Sequence, residues 1–291
     1  MKVPLLKVPA RFWELRSQRF TLRDHAKSLP RATLKLVASL KLMVKIIIIA
    51  NWKMNPATLT EAKRNFEIIK KGVRNIKKVE PVICAPFIFL PVLKATNYLK
   101  LGAQDCFLGE RGPFTGEVSP KQLKSLGVGY VILGHSERRK HSGELTELVN
   151  RKIIAALGAG LKVIFCVGSE TKKPGKEMRY QLKTGLKGVK KQDVAKLVFV
   201  YEPVWAISTS KNKVVATPQE ALKGGLYIRD ILGKIFDEET AKKAKIIYGG
   251  SVDSSNIRGF IKEGKMAGGL PGAASLDPHE FIRMVKAVDE S

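Results

Sequence analysis

The sequence lacks the features that would mark a disulfide-stabilised, membrane-spanning or metal-binding protein. Its three cysteines are Cys84, Cys106 and Cys166, and their spacing fits no common metal site. An odd, scattered set of thiols is typical of a reducing compartment, so we expect a cytoplasmic protein. No apolar run approaches the length of about eighteen residues that a membrane span requires.

Acidic residues are also scarce. The 291 residues include 52 Lys and Arg but only 26 Asp and Glu, which gives a formal net charge of +26 at pH 7. Such a field attracts nucleic acids, anionic membranes and small anions alike, so the charge by itself identifies no partner. With 44% hydrophobic and 27% charged residues, the composition is that of a soluble globular protein.

Short β-branched runs alternate with longer amphipathic segments. The predicted strands begin near Val44, Val79, Leu99, Tyr130, Leu161, Leu197, Lys245 and Met266. Eight strands alternating with helices predict parallel pairing, and eight such units in about 250 residues match a closed (β/α)8 barrel. A doubly wound open sheet is the alternative, but the G-x-G-x-x-G turn typical of its first strand is absent. We therefore expect an α/β protein with a single barrel domain.

The clearest helical patterns span residues 61–72, 144–157 and 218–232. The last of these begins with Thr217 and Pro218, and Glu220 follows within the first turn. A hydroxyl before proline with an acid three residues later is typical of a capped helix start.

Residues 1–42 differ in composition from the rest. They carry ten Lys and Arg but only two acids, Glu14 and Asp24. They lack the apolar core of a secretory signal, although organellar import sequences are also Arg-rich and acid-poor. Met43, next to the first predicted strand, would serve as an ordinary initiator. We therefore expect residues 1–42 to be a basic extension, flexible or an over-called start, and residues 43–291 to form the barrel. An arm that binds nucleic acid or a membrane surface is the alternative.

Polar side chains follow three of the predicted strands. The apolar run 197–200 leads to Glu202, and a segment of small hydroxylated residues suited to a mobile lid comes after it. Asn51 and Lys53 follow the first strand, and His135 follows the fourth. The carboxyl ends of barrel strands meet at one rim, where the chemistry of such barrels takes place. A lone histidine or lysine is usually structural, but three complementary groups at three strand ends predict an active site.

Five motifs in order resemble the triosephosphate isomerase family. They are ANWKMN at 50–55, GEVS at 116–119, LGHSERR at 133–139, YEPVWAI at 201–207 and YGGSV at 248–252. The resemblance runs from Val44 nearly to the C-terminus and covers no part of residues 1–42. It implies a TIM barrel that interconverts dihydroxyacetone phosphate and glyceraldehyde 3-phosphate through an enediolate, a step of glycolysis and gluconeogenesis.

The resemblance also implies a role for each polar residue at the rim. Glu202 would be the general base, and His135, as a neutral imidazole, would donate a hydrogen bond to the carbonyl oxygen. Lys53 would supply fixed positive charge and Asn51 a further donor, while Glu137 would orient Lys53. No metal or organic cofactor is implied, and the remaining histidines have no companions of the type that bind a metal.

Phosphate contacts are assigned by the resemblance to Ser208 in the lid and to Ser251, Gly272 and Ala273 in the last two loops. The lid usually reads Ile-Gly-Thr-Gly in this family, but here serine replaces both glycines. If closure requires a positive φ at either serine, closure becomes less favourable.

The last loop differs as well, because Pro271 and Ala273 stand where the family has valine and glycine. Proline removes a strand donor, and the alanine methyl would crowd a phosphate. A weakened or non-catalytic barrel that still binds a phosphorylated triose is therefore an alternative function. A polyanion-binding protein acting through residues 1–42 is another.

Residues 109–116 resemble the protruding loop by which family members contact a neighbouring subunit, with Thr115 near its tip. The resemblance implies a homodimer, with a tetramer as the alternative. The predicted partners are a phosphorylated triose and a second copy of the chain, and neither nucleic acid nor a membrane is required.

Overall fold

The structure is a computed structural model that describes residues 45–172, 175–206 and 215–290. Its parallel strands close into a barrel in chain order, and the eighth strand pairs with the first. The predicted (β/α)8 architecture is therefore confirmed. The strands are β1 (Ile46–Asn51), β2 (Val79–Ala85), β3 (Lys100–Ala103), β4 (Tyr130–Leu133), β5 (Lys162–Ser169), β6 (Leu197–Pro203), β7 (Lys245–Tyr248) and β8 (Gly268–Gly269).

Helices connect successive strands. Those in the described residues are α1 (Leu59–Gly72), α2 (Pro120–Ser125), α3 (Ser136–His141), α4 (Thr146–Gly158), α5 (Lys176–Gly185), α6 (Pro218–Ile235), α7 (Glu238–Lys243), α8 (Ile257–Lys262) and α9 (Pro278–Asp289). Short 3-10 turns cover Phe87–Val92, Lys191–Lys196, Val204–Ala206 and Ala273–Ser275. Within these ranges, no helix is long and apolar enough to cross a membrane.

The strands are buried on both faces. In β1, Ile47 and Ile49 belong to the core inside the barrel, whereas Ile48 and Ala50 belong to the core between the sheet and the helices. Successive strand residues point to opposite faces, so a strand covered on both sides has no polar alternation. This explains why β1 reads as an uninterrupted apolar run.

The predicted strand starts lie within two residues of the observed ones, and the three predicted helices correspond to α1, α4 and α6. Helix α4 begins at Thr146 rather than at residue 144. The side chain of Glu144 is buried and lies 2.5 Å from Nζ of Lys152. Glu144 therefore forms a buried ion pair and precedes the first turn of the helix.

The predicted start of α6 is confirmed in detail. The hydroxyl of Thr217 accepts a hydrogen bond from the backbone N–H of Glu220 at 3.2 Å, and the Glu220 carboxylate accepts one from the N–H of Thr217 at 2.8 Å. This reciprocal capping satisfies two backbone donors that a helix start otherwise leaves unpaired.

Gly268 closes the seam between β8 and β1. Its φ is +150°, and an added Cβ would lie 1.8 Å from the backbone oxygen of Ile47.

Gly268→Ala is expected to destabilise the fold by about 3 kcal/mol or more, because the backbone must move at the seam. Gly158→Ala, at a helical position where the Cβ meets nothing within 4 Å, is the matched control. It should change stability by about 1 kcal/mol at most. Equal urea midpoints for the two variants would contradict this account.

Candidate active site

A cleft opens at the carboxyl ends of the strands. It is lined by Asn51, Lys53, His135, Glu202, Gly249, Gly250, Leu270 and Gly272. These residues follow or end β1, β4, β6, β7 and β8, so barrel closure brings together groups that are far apart in sequence. All four residues predicted as catalytic line this one cleft.

Glu202 is the most buried polar group of the cleft, with 1% of its surface exposed. Its Oε2 accepts a hydrogen bond from the backbone N–H of Ser136 at 3.0 Å. Its Oε1 lies 3.1 Å from Nε2 of His135 but makes no aligned hydrogen bond to the described residues. One carboxylate oxygen is therefore held by the backbone, while the other faces the imidazole and the cleft.

The imidazole of His135 is oriented by the helix that it caps. Its Nδ1 accepts a hydrogen bond from the backbone N–H of Glu137 at 3.2 Å, in the first turn of α3. An accepting Nδ1 carries no proton, so the neutral ring has its proton on Nε2. That N–H points to the side where Glu202 lies, and Nε2 is also 3.4 Å from Nδ2 of Asn51.

The backbone at Lys53 is strained, with a φ of +52° that non-glycine residues rarely adopt. Several contacts maintain it. Its N–H donates to Oδ1 of Asn51 at 3.1 Å, and its carbonyl accepts from the amide of Gln104 at 2.9 Å. Nζ lies 2.5 Å from Oε1 of Glu137, the acid that the family resemblance implies as the residue orienting Lys53. Strain of this kind is typical of functional sites, because the surroundings must hold the conformation.

Gln104 was missed in the sequence analysis. It directly follows β3 and also donates to the carbonyl of Cys84 at 3.0 Å, which ties the first three strands together at the rim. The signal was available, because an amide after a strand end fits the pattern that identified Asn51. Gly249 and Gly250, which belong to the YGGSV motif, line the cleft as well.

Of the residues predicted to bind phosphate, Gly272 lines the cleft, and Ser251 and Ala273 lie next to residues that do. Gly272 lines the cleft beside Lys53, and a Cβ added to it would lie 3.0 Å from Cε of that lysine. Ala273 is next to it and begins the last 3-10 turn. Ser251 follows Gly250, and its hydroxyl donates to the carbonyl of Ala206 at 3.2 Å.

The lid is only partly described. Ser208 and the other substituted serine, Ser210, lie outside the described residues. At the last loop, the Pro271 carbonyl accepts from the N–H of Asn51 at 2.9 Å, but proline has no N–H to return to β1. The regular strand β8 ends two residues earlier, as expected from this lost donor.

A buried ion cluster contacts α3 through Arg138. Lys152 is 4% exposed, and its Nζ lies 2.8 Å from Oδ2 of Asp105 and 2.5 Å from Oε1 of Glu144. Arg138 contacts the same two carboxylates at 2.8 and 3.3 Å. Because Arg138 is in α3, the cluster fixes the turn whose N–H groups hold Glu202 and His135. No sequence signal pointed to this cluster.

Cys166 lies in β5 and is fully buried. Burial raises the pKa of its thiol well above the usual range, and the nearby charge of Glu202 raises it further. The thiol therefore stays protonated, as is typical of a packed small side chain and not of a nucleophile.

Comparison with known proteins identifies the family. The family model for triosephosphate isomerase matches residues 46–288, which is most of the chain. The chain belongs to the triosephosphate isomerase family. The match contains every residue of the cleft and begins at β1, where the resemblance of the motifs also begins.

Two curated triosephosphate isomerases are similar over almost their whole length. That of Caldanaerobacter subterraneus subsp. tengcongensis is 42% identical over 252 residues, covering 84% of this chain and 99% of the relative. That of Geobacter metallireducens is 42% identical over 247 residues, covering 82% and 97% respectively. The resemblance inferred from the five motifs is therefore confirmed.

Breaking the buried ion cluster should cost more than breaking an exposed pair. Lys152→Met leaves two buried carboxylates without their ammonium, so we expect a loss of about 3–5 kcal/mol in the free energy of unfolding. Lys196→Met, which removes an exposed partner of Asp193, should cost less than about 1 kcal/mol. Urea unfolding of both variants measures the difference. A loss of under about 1 kcal/mol for Lys152→Met would refute the supporting role of the cluster.

Proposed function

We propose that this chain interconverts dihydroxyacetone phosphate and D-glyceraldehyde 3-phosphate, with Glu202, His135 and Lys53 as its catalytic residues. The observation that carries the assignment is the convergence of three strand ends. The buried carboxylate of Glu202 lies 3.1 Å from the imidazole of His135, and Lys53 lines the same cleft. Membership of the triosephosphate isomerase family supports the same reaction.

The reaction moves one proton between adjacent carbons and requires no external oxidant or reductant. Glu202 takes a proton from C1 of dihydroxyacetone phosphate, and the electron pair of that C–H bond forms the C1–C2 double bond of an enediolate. The proton returns to C2, while the hydroxyl proton moves from the oxygen on C1 to the oxygen on C2. The products are an aldehyde at C1 and a hydroxyl at C2. Glu202 is only 1% exposed. This burial suits a general base, because little water can compete with the substrate proton for its carboxylate.

His135 stabilises the charge that develops on oxygen. Its Nε2–H is directed into the cleft because Nδ1 is occupied by the N–H of Glu137. A fixed donor aimed at the developing oxyanion lowers the barrier more than a donor that must first reorient. The same Nε2 proton can pass to one substrate oxygen while the other returns a proton to the ring.

Lys53 supplies positive charge for both the enediolate and the phosphate. Glu137 holds its ammonium, and Asn51 fixes its backbone and offers a further amide donor. We propose that the phosphate binds between Lys53 and the N–H groups of Gly272 and Ala273. Ser251 would complete the site, and Ser208 would join it when the lid closes.

Removing the base should abolish most turnover without unfolding the protein. We expect Glu202→Gln to lower kcat by about 10²–10⁴-fold, because an amide cannot accept the carbon-bound proton. Glu67→Gln, on the exposed side of α1, should keep wild-type kcat. A coupled assay in both directions measures the change, and matching thermal midpoints show that the fold is intact. Turnover of Glu202→Gln within about threefold of wild type would reject the assignment of the base.

We further propose that the chain forms a homodimer through the loop of residues 109–116, with a tetramer as the alternative. Phe114 and Thr115 are exposed near the tip of this loop. A second groove shares Asn51, Lys53 and His135 with the cleft. Met54, Phe87 and Ile88 form an apolar part of its lining, and 94% of Met54 and 76% of Ile88 are exposed. Exposed apolar groups of this size are typical of an interface, so the loop of one copy is proposed to enter the groove of the other.

The dimer can be tested with an apolar residue that the fold itself does not bury. Ile88→Asp places a charge in the groove, so it should convert a dimer into a monomer with reduced activity. Ile154→Asp, at a partly exposed position of α4, is the control and should remain a dimer. Light scattering after gel filtration gives the masses. A wild-type monomer, or a dimer of Ile88→Asp, would contradict the proposed interface.

We also propose a cytoplasmic location and a catalytic unit of residues 43–291, with residues 1–42 as a basic extension outside it. The family match supports this division, because it begins at residue 46. Cell fractionation, with antibodies raised against each part, tests both proposals. Recovery of the protein in an organelle or a membrane fraction would overturn the location.

A further inference from the structure

The end of the barrel opposite the cleft is ringed by lysines. Six of the eight strands begin at or directly after a lysine, and we call these six residues the basic ring: Lys45, Lys78, Lys100, Lys162, Lys196 and Lys245. Because the strands are parallel and the barrel is closed, every strand begins at the same end. The ring is thus a consequence of topology that the linear sequence does not display.

Two members of the ring lie at the mouth of the barrel. Lys162 is two residues before Ile164, and Lys245 is two residues before Ile247, and both isoleucines belong to the core inside the barrel. Alternation along a strand therefore directs both lysines towards the barrel axis. Lys162 also donates to the hydroxyl of Tyr130 at 3.1 Å and lies 5.0 Å from the centre of its ring.

The mouth has an excess of positive charge. Burial lowers the pKa of Lys245, the charge of Glu80 opposes this effect, and the charge of Lys162 lowers the pKa to a smaller extent. Glu80 also accepts a hydrogen bond from the hydroxyl of Tyr130. The mouth thus holds the ammonium groups of Lys162 and Lys245 near the carboxylate of Glu80, which leaves a net positive charge to attract an additional anion.

Acidic residues at the rim neutralise only part of the ring. Lys45 and Lys78 are exposed and make no ion pair with the described residues. The carboxylate of Asp289 lies beside Lys78 but accepts from backbone N–H groups at residues 77–79.

Lys196 is paired with Asp193 at 2.9 Å, whereas Lys100 donates to two backbone carbonyls. Further lysines lie in the last turns of helices on this side, at Lys71, Lys242 and Lys262, and Lys265 follows α8.

The form of the face favours an extended phosphate chain over a single small anion or a membrane. Neighbouring strands are about 4.8 Å apart, so the ring spreads its charges over a distance that spans several phosphates of a nucleic acid. The strongly exposed apolar side chains, Met54, Ile88 and Leu145, follow strand carboxyl ends instead. On the amino-end side, Leu126 is 39% exposed where α2 ends. One such side chain offers little to bury in a bilayer.

We propose that the basic ring is a second binding surface, which holds the phosphate backbone of nucleic acid without sequence preference. It lies opposite the cleft, so it can be occupied while the isomerase reaction proceeds. It is formed by the barrel itself and does not depend on residues 1–42.

The test is a comparison of two triple variants of the full chain with equal net charge. The ring variant carries Lys78→Gln, Lys162→Gln and Lys196→Gln. The control carries Lys63→Gln, Lys140→Gln and Lys176→Gln at exposed positions of α1, α3 and α5. Each variant keeps residues 1–42, so any contribution of that segment is the same. Isomerase activity of each preparation shows that the barrel has folded.

Binding is measured by fluorescence anisotropy with a labelled DNA duplex of about 20 base pairs at several NaCl concentrations. For the ring variant we expect the slope of log K against log salt to fall by about 2–3, since each lost phosphate contact removes about 0.9. Affinity at about 100 mM salt should fall at least about tenfold. The control should stay within about threefold of wild type.

Three results would overturn the proposal. Equal losses in both variants would show that net charge, and not this face, binds the DNA. Absence of salt-dependent binding by the wild-type chain would show that the surface does not bind nucleic acid. Tighter binding to vesicles of phosphatidylcholine and phosphatidylserine than to the duplex, lost in the ring variant, would assign the face to a membrane.

Discussion

The first turn of α3 is the constraint on which the site depends, because it contacts all three proposed catalytic side chains. The N–H of Ser136 holds the carboxylate of Glu202, and the N–H of Glu137 holds Nδ1 of His135. The side chain of Glu137 then positions the ammonium of Lys53. The buried ion cluster around Lys152 anchors this turn. Charged residues outside the cleft therefore help to position the catalytic side chains inside it.

Closure of the barrel explains both ends of the molecule. Parallel strands in a ring place every carboxyl end on one rim, where the cleft forms, and every amino end on the other, where the lysines collect. The same topology therefore separates two kinds of electrostatic environment. A desolvated site with fixed dipoles lies at one end, and a solvated surface of excess positive charge lies at the other.

The strands and the main site residues could be predicted because burial on both faces leaves long apolar runs, and because Glu202, His135 and Asn51 directly follow such runs. The capping of α6 was also predictable, since it depends on local sequence alone. By contrast, the strained φ at Lys53 and the Lys152 cluster arise from contacts between residues that are distant in sequence. Gln104 is intermediate, because its position after a strand was visible but its two carbonyl partners were not.

The most direct test of this account is the protonation state of His135 in the folded protein. Nitrogen NMR of ¹⁵N-histidine-labelled protein at neutral pH, assigned with His135→Gln, distinguishes a protonated from an unprotonated ring nitrogen. We expect a neutral ring with Nδ1 unprotonated and Nε2 carrying the proton. A proton on Nδ1, either in the other neutral tautomer or in an imidazolium, would contradict the claim that α3 directs this donor into the cleft.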